Sequence, residues 1–214
     1  MELGDLSAKY ESAKAGVAAV GWDSGGGLSL GTYQLASRPG TLAEFVRWCA
    51  RSDGLWWISD ALSPPLALGL GGGSSDRQGP LAQAWRVLAS ARPDELRAAE
   101  RGFIRATHYD AAVVMLAPSL RAAVQISEAL SQVLWSAAVQ HGAAGAAKVF
   151  GQAWADCRFP LDQALTVAQV GAFIRAIYAR RCLRLARLTA REQTAVRNRY
   201  RQEERDALRL AGAA

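Results

Sequence analysis

A mainly α-helical single domain with a small β or irregular patch near residues 16–35 is what the sequence predicts, and three features predict it. Apolar residues recur at helical spacing along most of the 214-residue chain. Three helix starts carry a Thr followed three residues later by Glu or Gln: Thr41 with Glu44, Thr166 with Gln169, and Thr189 with Glu192. In each the hydroxyl can cap an amide while the acid or amide side chain reaches back. Glycines crowd into 16–32, where the helical period lapses.

The elements follow in order. Leu3, Leu6 and Tyr10 share one face at helical spacing, so a short first helix delivers Glu11 at its end. Residues 16–32 then read as a loop or small hairpin, and a helix opens at Thr41. The run "LGLGGGSSDRQGP" at 68–80 reads as a surface loop by composition. Helices are predicted over Leu81–Ser90, Asp94–Thr107, Leu120–His141 and Ala144–Asp156, with Gly142 suited to the position just past His141. Two capped helices, from Thr166 and Thr189, complete the chain. With no internal repeat and no linker dividing it into balanced halves, residues 1–214 read as one domain.

Half of the residues are apolar and 21% are charged, which excludes a disordered chain. The net charge of +6 favours an anionic partner: nucleic acid, a membrane surface or a charged cell-wall polymer. Cys49, Cys157 and Cys182 form no CxxC and no Cys/His cluster, so they read as small buried hydrophobes, and neither a metal site nor a cofactor is expected. The apolar run "AAVVMLA" at 111–117 ends at Pro118, far short of the roughly 20 residues that span a bilayer. The opening "MELGDLSAKYE" carries acids and lacks the apolar core of an export signal. The glycines are followed by no Gly-Lys-Ser/Thr, which removes a phosphate loop, and no Gly-x-Ser-x-Gly elbow accompanies His108 or His141.

The chemistry-bearing stretch is "KYESAKAGVAAVGWDSGGGLSLGTYQL", whose only acids are Glu11 and Asp23. A glycosidase needs one carboxyl to protonate the leaving oxygen and commonly a second to activate water or stabilise positive charge. Glu11 sits among Tyr10, Ala13 and Ala15, whereas Asp23 lies in a glycine-rich setting. Such different surroundings separate the protonation states of two acids. Spacing alone favours the plainer reading, a surface Glu ending a helix and a turn Asp in "WDSGG". Trp22, beside Asp23, is placed to stack on a sugar face, while Trp48, Trp85, Trp135 and Trp154 fall in helices and read as core. Arginines dominate 180–209, but Glu192, Glu203, Glu204 and Asp206 interleave with them, as on a solvated helix face.

Taken together, "YES" (10–12), "DSGG" (23–26) and "SLGTYQ" (29–34) resemble the lysozyme-like muramidase domain found at the C-terminus of some VgrG spike proteins of type VI secretion and in related phage endolysins. "FIRATHYD" (103–110), "WSAAVQHGAAGA" (135–146), "IRAIYARR" (174–181) and "RNRYRQEERDAL" (197–208) extend the resemblance along nearly the whole chain. Leu30 stands where the family usually has Tyr, and the segment from Glu11 to Asp23 is shortened.

The resemblance implies a lysozyme-like α+β fold that cleaves the glycan strand of peptidoglycan. It assigns Glu11 as general acid, Asp23 as base or stabiliser, and Tyr33, Gln34, Gln140 and His141 as substrate-binding residues, to which the position of Trp22 adds a stacking ring; a structural role is equally open to His141. It implies a chain made in the cytoplasm that acts in the periplasm, delivered by a secretion spike or released as a phage lysin, with a periplasmic immunity protein as a further partner. Nucleic acid and membrane insertion are not implied. A lytic transglycosylase using Glu11 alone, a chitinase or chitosanase on the same fold, and a non-catalytic wall-binding or spike-tip module are the competing readings.

Overall fold

In the computed structural model, residues 1–11, 16–23, 25–67, 77–159 and 164–213 are described, with the side chains of Glu11, Asp23 and Arg187 outside that description. Most of the 68–80 loop also falls outside it. The chain divides into two compact units, Glu11–Ile104 and Met1–Tyr10 with Arg105–Ala214.

The unit Glu11–Ile104 holds a three-stranded antiparallel sheet in the order β1 (Val20–Asp23), β2 (Gly27–Leu30), β3 (Leu35–Ala36). Glycines at both hairpin corners make the tight reversals possible: Gly27 and Gly31 hold φ of +73° and +79°, which an L side chain rarely adopts. Val20 pairs with Leu30, and Trp22 with Leu28. This register puts Leu28 and Leu30 on one face, and Leu35 joins it opposite Leu30. All three leucines are buried.

Helices α2 (Thr41–Ala50), α3 (Trp56–Ala67), α4 (Pro80–Ala91) and α5 (Pro93–Ile104) complete this unit. Phe45, Trp85 and Phe103 meet at its centre, with the Trp85 and Phe103 ring centroids 6.0 and 5.5 Å from that of Phe45. The Trp85 indole N–H donates to Val17 O at 2.7 Å, tying the short 3-10 turn Gly16–Ala18 to α4. The capping box expected at Thr41 does not form. Gly40, at φ +88°, is the cap residue, its carbonyl accepts the Glu44 amide at 2.9 Å, and Thr41 is already the first helical residue.

The other unit is built on α8 (Glu128–Cys157), with α1 (Asp5–Glu11, of which Glu11 belongs to the first unit), α6 (Asp110–Met115), α7 (Pro118–Ile126), α9 (Val167–Leu183) and α10 (Ala190–Leu210). Gly142 interrupts α8 at φ +70° and ψ 167°, as its place after His141 predicts. The helix expected over 120–141 is in fact two. Ser127 leaves helical geometry between α7 and α8, and its hydroxyl accepts the Leu130 amide. The helix expected over 94–107 stops at Ile104 and gives way to a π turn at Arg105–Tyr109. The boxes at Thr166/Gln169 and Thr189/Glu192 both form.

Buried Gln132 of α8 pins the chain entering α1. Its Oε1 accepts the Gly4 and Leu6 amides at 2.9 and 3.4 Å, and its Nε2 donates to Glu2 O at 2.7 Å. A buried amide engaged through both its oxygen and its nitrogen is a rigid fixture. On α10, Asp206 accepts from the Tyr10 hydroxyl at 2.7 Å and pairs with Lys9. Thus α1, which ends in Glu11, is held at its start by α8 and near its end by α10. The three cysteines are free thiols: Cys49 is buried, and Cys157 and Cys182 are half-buried rather than buried. No described helix is long and apolar enough to cross a membrane.

Candidate active site

Glu11 closes α1, and Asp23 closes β1 opposite Gly27. Both belong to the unit Glu11–Ile104. Their carboxyl groups, and hence the spacing between them, lie outside the described residues.

The turn Gly31–Gln34, which carries the Tyr-Gln pair, is described in full. Gln34 holds φ of +52°, and its side chain folds back over the sheet. Its Oε1 accepts from the Ser29 hydroxyl at 2.9 Å, and its Nε2 donates to Gly31 O at 3.0 Å. Gly21 makes room for this: a Cβ there would lie 2.5 Å from Gln34 Oε1 and 2.7 Å from Ser29 Oγ. Gln34 is half-buried, and Tyr33 is only 5% exposed. In this state Tyr33 offers a sugar little surface, and the Gln34 amide already has partners at both ends. Trp22, paired with Leu28 on β1, is half-buried as well.

Beneath the turn lies an acid that the sequence reading did not single out. Glu100 of α5 is fully buried, and its carboxyl fills the space left by the missing side chain of Gly31, next to Trp85. Burial pushes its pKa up to about 8, against the pull of the Thr32 amide and hydroxyl, the Tyr33 amide and the Arg97 charge. Glu100 is therefore mainly a neutral acid at pH 7. Sealed from solvent, it supports the turn rather than meeting a substrate. Its signal in the sequence is positional: Leu96, Ala99, Glu100, Phe103 and Ile104 share one helical face.

Gln140 and His141 lie in the other unit, beside a second buried polar cluster. Fully buried Arg181 of α9 donates through one NH2 to Ser136 Oγ at 3.1 Å and Gln140 Oε1 at 2.7 Å. Its other terminal nitrogen lies 3.5 Å from Glu203 of α10, which is equally buried. The guanidinium also faces the Tyr200 and Tyr178 rings, at 4.3 and 5.0 Å from their centroids. Tyr200 donates to Gln140 Oε1 at 2.6 Å. Gln140 is thereby committed to two internal donors. Burial and the charges of Arg181, Arg184 and Arg199 lower the His141 pKa to about 4, so its ring is neutral near pH 7.

Glu203, read from the sequence as part of a solvated face, is instead the buried counter-ion of Arg181. It sits at helical spacing with Tyr200 and Ala207, as Arg181 does with Ile177 and Tyr178. Of the tryptophans read as core, Trp85 and Trp135 are buried, while Trp48 and Trp154 are half-buried. Among the described residues no group of three or more His, Cys, Asp or Glu is arranged to hold a metal ion.

This helical architecture with its small sheet is the lysozyme-like α+β fold also seen in chitosanases. Solved structures of similar fold include chitosanase OU01 with substrate (TM-score 0.58, 20% identity, covering 81% of this chain and 74% of that one). They also include the Gynuella sunshinyii family GH46 chitosanase with chitotetraose (0.58, 17%, 93% and 81%). A third is a glutamate-to-alanine variant of a Bacillus subtilis chitosanase complexed with six GlcN (0.53, 18%, 92% and 78%). Over residues 3–203 the chain matches the family described as type VI secretion system spike protein VgrG3-like, C-terminal, and it belongs to that family. It is 28% identical over 142 residues to the type VI secretion system spike protein VgrG3 of Vibrio cholerae serotype O1. That alignment takes in 65% of this chain and 12% of the relative's length.

Proposed function

We propose that the chain is a peptidoglycan hydrolase of the muramidase type. In this reading Glu11 protonates the leaving oxygen, and Asp23 activates water or stabilises the developing positive charge. The observation that carries it is the family match over residues 3–203, which takes in both acids at the ends of α1 and β1. The three chitosanases, each holding a saccharide, support a glycan-cleaving use of the fold. Since the match runs through both compact units, it also supports reading 1–214 as one glycoside hydrolase domain.

A chitosanase reading has those same neighbours in its favour. Charge argues against it: a chain of net +6 repels a polymer of amino sugars and attracts one carrying carboxylates. The spike family supports delivery to a target cell's wall, with an immunity protein as the natural guard of a cell that makes such an enzyme. Trp22, Tyr33, Gln34, Gln140 and His141 remain the proposed substrate-binding residues. In the state described, Gln34 and Gln140 each serve the architecture of their own unit.

The test is incubation of the pure protein with peptidoglycan and mass spectrometry of the soluble fragments. Wild type should release muropeptides with reducing ends. Glu11→Gln should lose about 10²–10⁴ in rate with its circular dichroism unchanged. Near-normal release by folded Glu11→Gln overturns the assignment.

A further inference from the structure

The arginines of α10 are more ordered than a generally solvated face requires. Arg197, Arg201, Arg205 and Arg209 are all exposed and follow one another every four residues. With a rise of 1.5 Å per residue they form a ladder about 18 Å long, with rungs about 6 Å apart. Like charges at this spacing weaken a helix. Arg209 relieves part of its charge on Asp206 at 2.5 Å, and Arg205 and Arg209 lie back along the helix toward the carbonyls one turn earlier.

Two hollows flank the ladder within the same unit. One, of about 320 Å³, is lined by Arg175, Tyr178, Arg197, Tyr200, Arg201 and Glu204, among others. The other, of about 280 Å³, is lined by Lys9, Tyr10, Gln202, Arg205, Asp206 and Arg209. Lys9, Arg175 and the four rungs face only Glu204 and Asp206 in these linings. That is a surplus of four positive charges in a chain whose net charge is +6.

We infer that the α10 ladder and its two hollows are an anion-binding surface that docks the carboxylate-bearing side branches of the wall polymer. Guanidinium forks grip carboxylates in bidentate fashion, and repeated rungs suit a polymer whose charges recur along its length. Two features favour this polymer over other anions. Tyr178 and Tyr200 are buried and Tyr10, half-buried, commits its hydroxyl to Asp206, so the four rungs are not interleaved with the row of exposed rings on which successive bases stack. The apolar face of α10, with Ala207 and Leu208, is committed to the core and cannot enter a lipid surface. The choice of polymer rests on the proposed function, but the anion site itself does not.

The experiment is co-sedimentation of the full chain, carrying Glu11→Gln to prevent digestion, with insoluble peptidoglycan sacculi. Binding should fall more than tenfold between 50 and 300 mM salt, because screening shortens the reach of exposed charges. It should fall by a similar factor when the carboxyls of the sacculi are converted to amides, an arm that needs no variant. Changing all four rungs to Gln should have the same effect, and Arg201→Gln with Arg205→Gln serves if the fourfold variant does not fold. A short DNA duplex and phosphatidylglycerol vesicles should bind more weakly than sacculi. Binding that ignores amidation, or DNA or vesicles held as tightly as sacculi, overturns the inference. Digestion of the wall by Glu11→Gln would sink the proposed function; binding is then read at 4 °C over a contact time too short for soluble fragments to appear, and its dependence on salt and amidation still decides the anion site.

Discussion

A side-chain carbon on Gly31 would lie 2.0 Å from Oε1 of Glu100, so a buried carboxyl occupies the space that any other residue at position 31 would need. The glycine is required twice over, because its φ of +79° also disfavours a side chain. Two segments nearly seventy residues apart therefore constrain each other, and the turn that carries Tyr33 and Gln34 rests on the pair.

Gly31→Ala should destabilise the protein by about 2–4 kcal/mol, combining left-handed backbone strain with displacement of Glu100 or Trp85. Urea unfolding measures it. A cost below about 1 kcal/mol would show that the turn yields easily.

Glu100 also makes a signed prediction for pH. Its pKa rises on folding from an ordinary value of 4.5 to about 8, so between these limits the folded state holds more of the proton than the unfolded one. Its contribution is complete below the lower limit and declines as pH rises, by at most about 1.4 kcal/mol per unit, until it is lost above the upper one. Glu100→Gln keeps the shape without the titration, so its stability profile should lack this decline. His141 acts oppositely: with a pKa lowered to about 4, its contribution is lost as pH falls from the usual histidine range toward 4. Parallel profiles for wild type and Glu100→Gln from pH 5 to 8 would refute the assignment.

Gly21 and Gln34 should prove coupled. Gly21→Ala places a methyl 2.5 Å from Gln34 Oε1 and should cost stability by expelling that side chain. In Gln34→Ala the same methyl meets less obstruction, so the double variant should be less damaged than the sum of the singles, by about 0.5–3 kcal/mol. A double-mutant cycle by urea unfolding reports this number, and additivity would mean that the fold over the sheet is unimportant.

Breaking the Arg181–Glu203 pair from one side leaves buried Arg181 without its counter-ion, or leaves buried Glu203 with only Arg199, at 3.8 Å, as an ion-pair partner among the described residues. Arg181→Met and Glu203→Leu should each cost about 3–5 kcal/mol, whereas the joint replacement should cost much less than their sum. Thermal or chemical unfolding of the three variants decides the matter. Equal and additive losses would mean that the partners act separately.

Asp23→Asn separates hydrolysis from transglycosylation. If Asp23 activates water, the variant should lose most activity and wild-type fragments should carry reducing ends. Anhydro-sugar products from wild type, with only a mild effect of Asp23→Asn, would assign the reaction to Glu11 alone.

Local chemistry was legible in the chain. Thr166 and Thr189 start helices because each finds its capping partner three residues away, and Gly142 breaks α8 because a residue without a side chain bears a positive φ at little cost. The glycine-rich segment becomes a hairpin for the same reason. Glu11 and Asp23 stood out by being the only acids in that stretch.

Tertiary structure decided what depends on distant neighbours. Thr41 has the same pattern as the other two boxes, yet Gly40 takes the cap because the chain enters α2 through a left-handed turn. Glu100, Arg181 and Glu203 look like surface charges one at a time. They are buried because α5, α9 and α10 turn those faces inward, where the Gly31 turn or an opposite charge meets them. Tyr33 and Gln34 were readable as a motif, but the sequence does not say that one is buried and the other folded over Gly21. A sequence specifies hydrogen bonds that close within one turn, whereas the protonation and exposure of a side chain follow from what packs upon it across the fold.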